Sequence, residues 1–466
     1  MEKLAFVFPG QGTQFLQMGK AFYDNYLISK QTFEEASNVS GIDIANLCFN
    51  GSISSINEYS NMQLAILTTE IAIFRAYMDD YGVLPQFVVG HSIGEYAAAC
   101  IDGVMSIEDA VIAVTARASI LDNTSVSGQM IGMLADENRV RKIIEKFSDI
   151  SIAAVNSPDN VTVSGSKSSI NKLIKQARKE RIFIEELDVS HPFHSVLMKD
   201  LSDELESRIS KIKYNNCSRR FISTVTGDFI SGKREMDASY WASHLVKPVL
   251  FSKAVNTAIT SGGSIFLEIG GRATLSGLAA QVCDKQNLLI LPSLREKRPD
   301  WRQFYETLGQ LWSIGYEINW NALYDSRTPR IENLPHTPYD SKKVWFSEAP
   351  IKYVEEAAAV VDIQLPRNEI RSENYEEEKY DSEDIRDEMK DMISQVTGVL
   401  RSDITDTINL FSIGLDSLMI VQLRRFILAK YNLEISNKKF YSDLHSVQKI
   451  VNYIAKNSPV QPAVIA

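Results

Sequence analysis

The chain has 466 residues, 44% of them hydrophobic, and a formal net charge of −10. That length accommodates two or three domains around a sizeable core, and the acidic balance argues against a nucleic-acid partner. The four cysteines (Cys48, Cys100, Cys217 and Cys283) stand far apart with no metal-type spacing, which fits a reducing compartment and no metal site.

Residues 4–8 read as a strand. The apolar start is too short for a signal peptide, and no apolar run in the chain is long enough to span a bilayer, so a cytoplasmic protein with no membrane partner is expected. The strand opens into Pro9-Gly10-Gln11-Gly12-Thr13-Gln14. A phosphate cradle matches poorly there, because the P-loop lysine and hydroxyl are missing. The better reading points the Gln11 backbone N–H into a site, and the plainer one is a turn. Residues 61–78 carry a long helical apolar period with Gln63 in the first turn, either on the surface or facing a site. Residues 87–89 read as a buried strand and the Ala-rich run 95–100 as the start of a helix, with Gly90-His91-Ser92-Ile93-Gly94 between them. A serine on such a strand-to-helix turn presents its hydroxyl as a nucleophile, with the helix N-terminus beneath it for an oxyanion. The bland alternative is a glycine turn capped by a serine. Ser106 caps a further helix that contains Arg117 among small and apolar residues. Such an arginine is either paired internally or used to bind an anion.

Residues 129–188 alternate as β-α-β-β-α-β, with strands at 130–134, 152–155, 161–164 and 182–187 and a turn at 156–160. This is the ferredoxin-like pattern, read as a small subdomain inserted into a larger α/β unit. The chain returns through His191-Pro192-Phe193-His194, which holds two of the six histidines beside a proline and favours a site over two structural histidines. Residues 349–382 are charged and poor in large apolar side chains, and read as an acidic flexible linker. A coil of roughly 30 residues has an r.m.s. span of about 30 Å. From Glu383 a helical pattern returns, and residues 383–458 read as a small all-α bundle. Within it, Gly414-Leu415-Asp416-Ser417-Leu418 opens an amphipathic helix, with Ser417 also suited to an N-cap.

Together these pieces resemble the acyltransferase family that includes bacterial malonyl-CoA:acyl-carrier-protein transacylases and the acyltransferase domains of modular polyketide synthases. The resemblance runs from about residue 4 to about residue 346. It rests on Gly10-Gln11-Gly12, Gly90-His91-Ser92-Ile93-Gly94-Glu95, Arg117, His191-Pro192-Phe193-His194-Ser195, the Tyr240-Trp241…Pro248-Val249 stretch and Leu267-Glu268-Ile269-Gly270. It implies an α/β fold with a hydrolase-like parallel-sheet large subdomain, the inserted ferredoxin-like subdomain at about 129–188 and a trailing segment at about 290–348. Within residues 1–348 it implies Ser92 as nucleophile, His194 as base, and the main-chain carbonyl of His244 orienting that base. It implies the N–H groups of Gln11 and Ile93 as the oxyanion hole and Arg117 as the grip on the free carboxylate of a malonyl-type group, with Gln63, His191 and Phe193 completing the substrate pocket. Gly271 departs from the proline usual in the family, with a local loop effect expected. Pro192 replaces the alanine of the His-Ala-Phe-His sequence that accompanies malonyl selection; Tyr-Ala-Ser-His accompanies methylmalonyl.

The Gly-Leu-Asp-Ser-Leu stretch resembles the attachment site of acyl carrier proteins, which implies a covalent 4′-phosphopantetheine on Ser417. The helix that follows carries Gln422, Arg424 and Arg425 and is less acidic than in many carriers. The expected activity moves a malonyl-type group from CoA to a carrier thiol through an acyl-serine, in the service of polyketide biosynthesis. The expected partners are malonyl-CoA or a related acyl-CoA, the chain's own carrier domain, other polyketide synthase proteins and a phosphopantetheinyl transferase. An editing acyl hydrolase and a starter-loading didomain on the same fold are the alternatives, and Arg117 weighs against both because monocarboxylic acyl groups have no use for it. A non-catalytic scaffold is the third, against which the Ser92 and His194 pair weighs. With no ketosynthase sequence ahead of Met1, a small free-standing didomain is expected.

Overall fold

A computed structural model describes residues 2–217, 220–230, 236–282, 288–324, 382–397, 401–413, 415 and 417–458. Most of the sequence-predicted linker, and residues 325–348 of the predicted trailing segment, lie outside the described residues. The strands in chain order are β1 (Lys3–Phe8), β2 (Phe87–Gly90), β3 (Gln129–Met133), β4 (Ile150–Ser157) and β5 (Asn160–Gly165). They continue as β6 (Ile184–Leu187), β7 (Phe221–Ser223), β8 (Asp228–Phe229), β9 (Gly263–Glu268) and β10 (Leu289–Pro292).

The larger sheet runs β10-β9-β1-β2-β7-β8, parallel throughout except for the β7–β8 edge pair. β1 is apolar on both faces because the sheet is covered on both faces, and Leu4 to Phe8 are fully buried. One face packs under helices Leu27–Ser40, Tyr59–Arg75 and Ile107–Asp122; the other packs against Phe251–Thr260 and Thr274–Val282. From β1 the strand order departs in both directions, so the loops leaving β1, β2 and β9 gather at one carboxyl edge. Ligands in open α/β sheets bind at such an edge. There Gly271 lies so close to the Gln11 loop that a Cβ would stand 2.3 Å from the Thr13 carbonyl oxygen, so the glycine permits a close approach of the two loops.

The smaller sheet is antiparallel, in the order β4-β5-β3-β6, with helices Glu137–Ile144 and Lys167–Lys179 packed against it. This is the ferredoxin-like arrangement read from the sequence. β4 runs through Ser157, two residues beyond its predicted end, so Asn156 is a strand residue rather than part of a turn. The two sheets are stitched at residue 249: Val155 N–H donates to the Val249 carbonyl and Val249 N–H to the Ala153 carbonyl, each at 2.9 Å.

Helices Ser382–Thr397, Ser417–Tyr431, Asn437–Ser442 and Val447–Asn457 enclose a separate apolar core that includes Ile385, Met389, Leu423, Ile427 and Ile450. The first of them begins one residue before the predicted boundary. Asp406 ties it to the following loop through Arg386 at 3.1 Å and Lys390 at 2.7 Å.

Candidate active site

Ser92 occupies the turn between β2 and helix Gly94–Ile101 with φ at +54°. A non-glycine residue in that region is uncommon and persists only where its surroundings fix it. Two close approaches do so here. A Cβ on Gly90 would lie 2.2 Å from the Glu95 nitrogen, and one on Gly94 would lie 2.2 Å from the Phe8 carbonyl oxygen. Both positions are therefore closed to larger residues, and the serine is pushed out over the helix start.

Glu95 secures the turn from below. It is fully buried, and its Oε1 accepts from the Thr224 backbone N–H at 2.5 Å and from the Thr224 hydroxyl. Its Oε2 accepts from the Tyr240 hydroxyl at 2.6 Å and lies 2.9 Å from His244 Nε2. Burial pushes the Glu95 carboxyl up, but the His244 ring and the donors from Thr224 and Tyr240 outweigh it and hold the group below its ordinary value. His91 is held alongside by Asn156, Nε2 to Oδ1 2.9 Å.

His194 stands across from Ser92 with its Nε2 2.8 Å from the serine Oγ. It too has a positive φ, +57°, and its backbone N–H donates to the Leu245 carbonyl at 2.9 Å. The carbonyl that meets His194 Nδ1, at 2.9 Å, is that of Lys247 and not of His244. The sequence-based assignment of this acceptor is thus corrected by three residues. His244 closes helix Ala238–Ser243 and turns its ring away, onto Glu95. Beyond it, the Val249 bridges to β4 hold the irregular segment that presents the Lys247 carbonyl. Burial pushes the His194 imidazole down to about 3; the Lys247 carbonyl acts the other way, and Arg117, His244 and His91 add to the lowering. The ring is therefore neutral at pH 7, with Nδ1 donating to Lys247 and Nε2 free to take the serine proton.

A cleft of about 2330 Å³ opens over this pair, and Gln11, Gln63, Ile93, Arg117 and Phe193 line it together with Ser92 and His194. Among the described residues, no acceptor meets the backbone N–H of Gln11 or of Ile93, which suits both to an oxyanion. Arg117 and Gln63 are buried together, Arg117 Nη1 donating to Gln63 Oε1 at 2.7 Å. Gln63 thus faces the site and not the surface. Among the described residues no carboxylate pairs with Arg117, and its Nε and the Gln63 Nε2 have no partner. Burial lowers the guanidinium below its ordinary value, with Tyr96 acting the other way, yet an arginine keeps its charge. Phe193 lies 5.7 Å beneath that guanidinium and is backed by Tyr59 at 5.8 Å. His191 packs behind Phe193, its ring 4.7 Å from Tyr59, and does not line the cleft. It shapes the pocket through Phe193.

Ser417 is the first residue of its helix, and its side chain lies outside what is described. Lys247, Asn156, Tyr59 and Thr224 carried no sequence assignment. Glu95 stood in the quoted motif without a role, though a lone acid in an Ala-rich first turn was a usable signal. Among the described residues there is no group of three or more potential metal ligands, and no helix long and apolar enough to cross a membrane.

The chain belongs to the acyl transferase domain family, whose model matches residues 5–317; the phosphopantetheine attachment site model matches residues 387–454. It is 30% identical over 351 residues to the mycoketide-CoA synthase of Mycobacterium tuberculosis, which covers 74% of this chain and only 8% of that synthase. It is 32% identical over 292 residues to the malonyl CoA-acyl carrier protein transacylase of Bacillus subtilis, covering 60% of this chain and 91% of that enzyme. Among solved structures, the acyltransferase domain from the second module of the salinomycin polyketide synthase superposes with a TM-score of 0.68 at 31% identity, covering 72% of this chain and 79% of that one.

Proposed function

We propose that the chain moves a malonyl-type acyl group from CoA to a carrier thiol, with Ser92 as the acylated residue. The observation that carries the substrate class is the buried Arg117 guanidinium, which opens on the cleft beside Ser92 with no carboxylate partner among the described residues. Leaving a buried charge unpaired is costly, so a site that does so is built to receive the counter-charge. The free carboxylate of a malonyl group supplies it.

In the first half-reaction His194 Nε2 takes the proton of Ser92 Oγ as the oxygen attacks the thioester carbonyl. The N–H groups of Gln11 and Ile93 hold the developing oxyanion. Collapse expels the CoA thiolate, which takes the proton back from His194, and an ester remains on Ser92. The second half runs in reverse: His194 takes a proton from an incoming thiol, and Ser92 leaves as the alcohol. The attachment-site match spans Ser417, whose helix starts beside Leu415 and Met419, two residues that line the same cleft as Ser92. That placement fits a phosphopantetheine on Ser417; when attached, the group supplies the accepting thiol.

Phe193 occupies the space beside the Arg117 guanidinium, where a C2 substituent on the acyl group would need room. Unsubstituted malonyl is therefore the preferred donor, with a small polar-substituted malonyl as the reserve. With malonyl-CoA and methylmalonyl-CoA in competition, intact-protein mass spectrometry of the Ser92 ester should show malonyl ahead. Preference for methylmalonyl sinks this assignment.

Loading is proposed to run in cis, within a domain plan of residues 1–348, 349–382 and 383–458, with a separate polyketide synthase then receiving the acyl group. A tether presents the carrier at an effective concentration on the order of millimolar. A Ser92→Ala chain with an intact carrier, mixed at low micromolar concentration with a Ser417→Ala chain, should load far more slowly than the unmutated protein. Equal rates would show that the tether gives no advantage.

A further inference from the structure

The cleft above Ser92 does not end at the acyltransferase residues. Its wall continues through Thr274, Leu275 and Leu278 to Leu415 and Met419 of the carrier part. Helix Ser417–Tyr431 packs on helix Thr274–Val282, and Leu415 and Met419, which belong to the carrier part's own apolar core, also border this wall. The acyltransferase side of this contact, Thr274-Leu275-Ser276-Gly277-Leu278-Ala279-Ala280-Gln281-Val282, has no charged residue. The carrier helix has no acidic residue, and its charged side chains are Arg424, Arg425 and Lys430. Charge attraction between an acidic carrier helix and a basic surface is therefore absent from this pair of elements. At the neighbouring rim, Arg272 pairs with Glu296 at 2.8 Å, and Arg298 and Arg302 with Glu306 at 2.8 and 3.1 Å, while Lys167 and Lys297 also border the cleft.

The seat is stiff. Glu268, at the end of β9, accepts from the backbone N–H groups of Thr274, Leu275 and Ser276 at 3.0, 2.9 and 2.6 Å, which pins the helix start to the sheet. On the opposite wall, Gln281 Oε1 accepts from Ser157 Oγ at 2.8 Å, which ties the helix end to the small subdomain. Leu278 lies between these two anchors, half-buried on the cleft wall.

We infer that helix Thr274–Val282 is the docking seat for the chain's own carrier, an uncharged apolar contact with Leu278 on one side and Leu415 and Met419 on the other. This rests on the acyl-transfer reading above and adds the surface by which the carrier is recognised. The occupant is this chain's carrier because its residues already complete the cleft wall, and because its helix suits a neutral surface.

The test uses the full chain carrying Leu278→Arg. Carrier loading should fall by about tenfold or more, the loss of one apolar contact made worse by a desolvated charge. Acylation of Ser92 by malonyl-CoA, read by mass in a Ser417→Ala background, should fall less than loading does, since Leu278 stands on the outer wall of the cleft and on the helix that meets the carrier. Hydrogen exchange in the unmodified chain should rise over residues 274–282 in the variant, a readout independent of any transfer. Raising salt from about 0.05 to about 0.5 M should change loading by less than about twofold, because an uncharged contact is not screened. Should Leu278→Arg lose Ser92 acylation to the same degree, Leu278→Ala decides, with loading slowed more than acylation expected. Unchanged loading and exchange in either variant, or loading that collapses with salt, overturns the seat. Failure of Ser92 to acylate in the unmutated chain would instead overturn the acyl-transfer reading, and the exchange measurement would still decide the seat.

Discussion

Ser92→Ala should abolish the acyl-enzyme and slow carrier loading by about 10⁴-fold or more, and His194→Ala should cost about as much. The two act as one unit, with Oγ and Nε2 2.8 Å apart, so the double variant should be no slower than the worse single one. Additive losses would mean that His194 does not take the serine proton. The pH profile gives a second reading. Burial holds His194 down to about 3, so Ser92 acylation should stay level from neutrality to about pH 4, not halve near the ordinary histidine value of about 6.5. Stability carries the same sign. The unfolded chain takes up a proton below about pH 6.5 that folded His194 refuses, so this residue's share of stability is complete above that pH. It is lost as the pH falls towards about 3, by roughly 1.4 kcal/mol per pH unit. An acid limb of the acylation rate centred near pH 6.5 would contradict a neutral buried base.

The elements that carry the chemistry were legible because their signals are local. The Gly-x-Ser-x-Gly turn follows from the close approaches at Gly90 and Gly94, and a glycine pair around a serine is visible in any sequence. Arg117 stood out because a guanidinium in an apolar helix has no local partner. The ferredoxin-like subdomain was legible from its alternation of strand and helix periods. What escaped has no residue signature. A main-chain carbonyl such as that of Lys247 is identical in every residue, and its role comes from the bridge between Val249 and β4, which is set by contacts across the fold. The resemblance implied His244 as the acceptor, three residues before the carbonyl that meets the ring. Asn156 was lost in a predicted turn because Ser157, Pro158 and Asp159 read as loop, while the strand runs on to Ser157. The short strands β7, β8 and β10, of three, two and four residues, are too brief for periodicity to show.

Arg117→Ala should remove most malonyl transfer while leaving, or raising, transfer from acetyl-CoA. Nη1 is committed to Gln63 at 2.7 Å, which holds the guanidinium plane in place. Nε has no partner, and the Nε edge of a guanidinium grips a carboxylate through two parallel bonds. Removing the side chain leaves the malonyl carboxylate in a partly desolvated pocket without its counter-charge, a loss of roughly 2–5 kcal/mol, or about 30- to 5,000-fold in kcat/KM. Acetyl has no such group to strand, so the same change costs it little and frees space beside Phe193. Arg117→Lys should rescue poorly, because an ammonium cannot reproduce the planar pair of donors or keep the Gln63 contact. The measurement is the rate of Ser92 acylation from each donor, for the unmutated chain and both variants, in the same buffer. Equal losses for malonyl and acetyl would mean that Arg117 supports the fold and not the carboxylate. Full malonyl activity in Arg117→Lys would show that charge alone suffices and that the fixed plane held by Gln63 has no part in selecting the substrate.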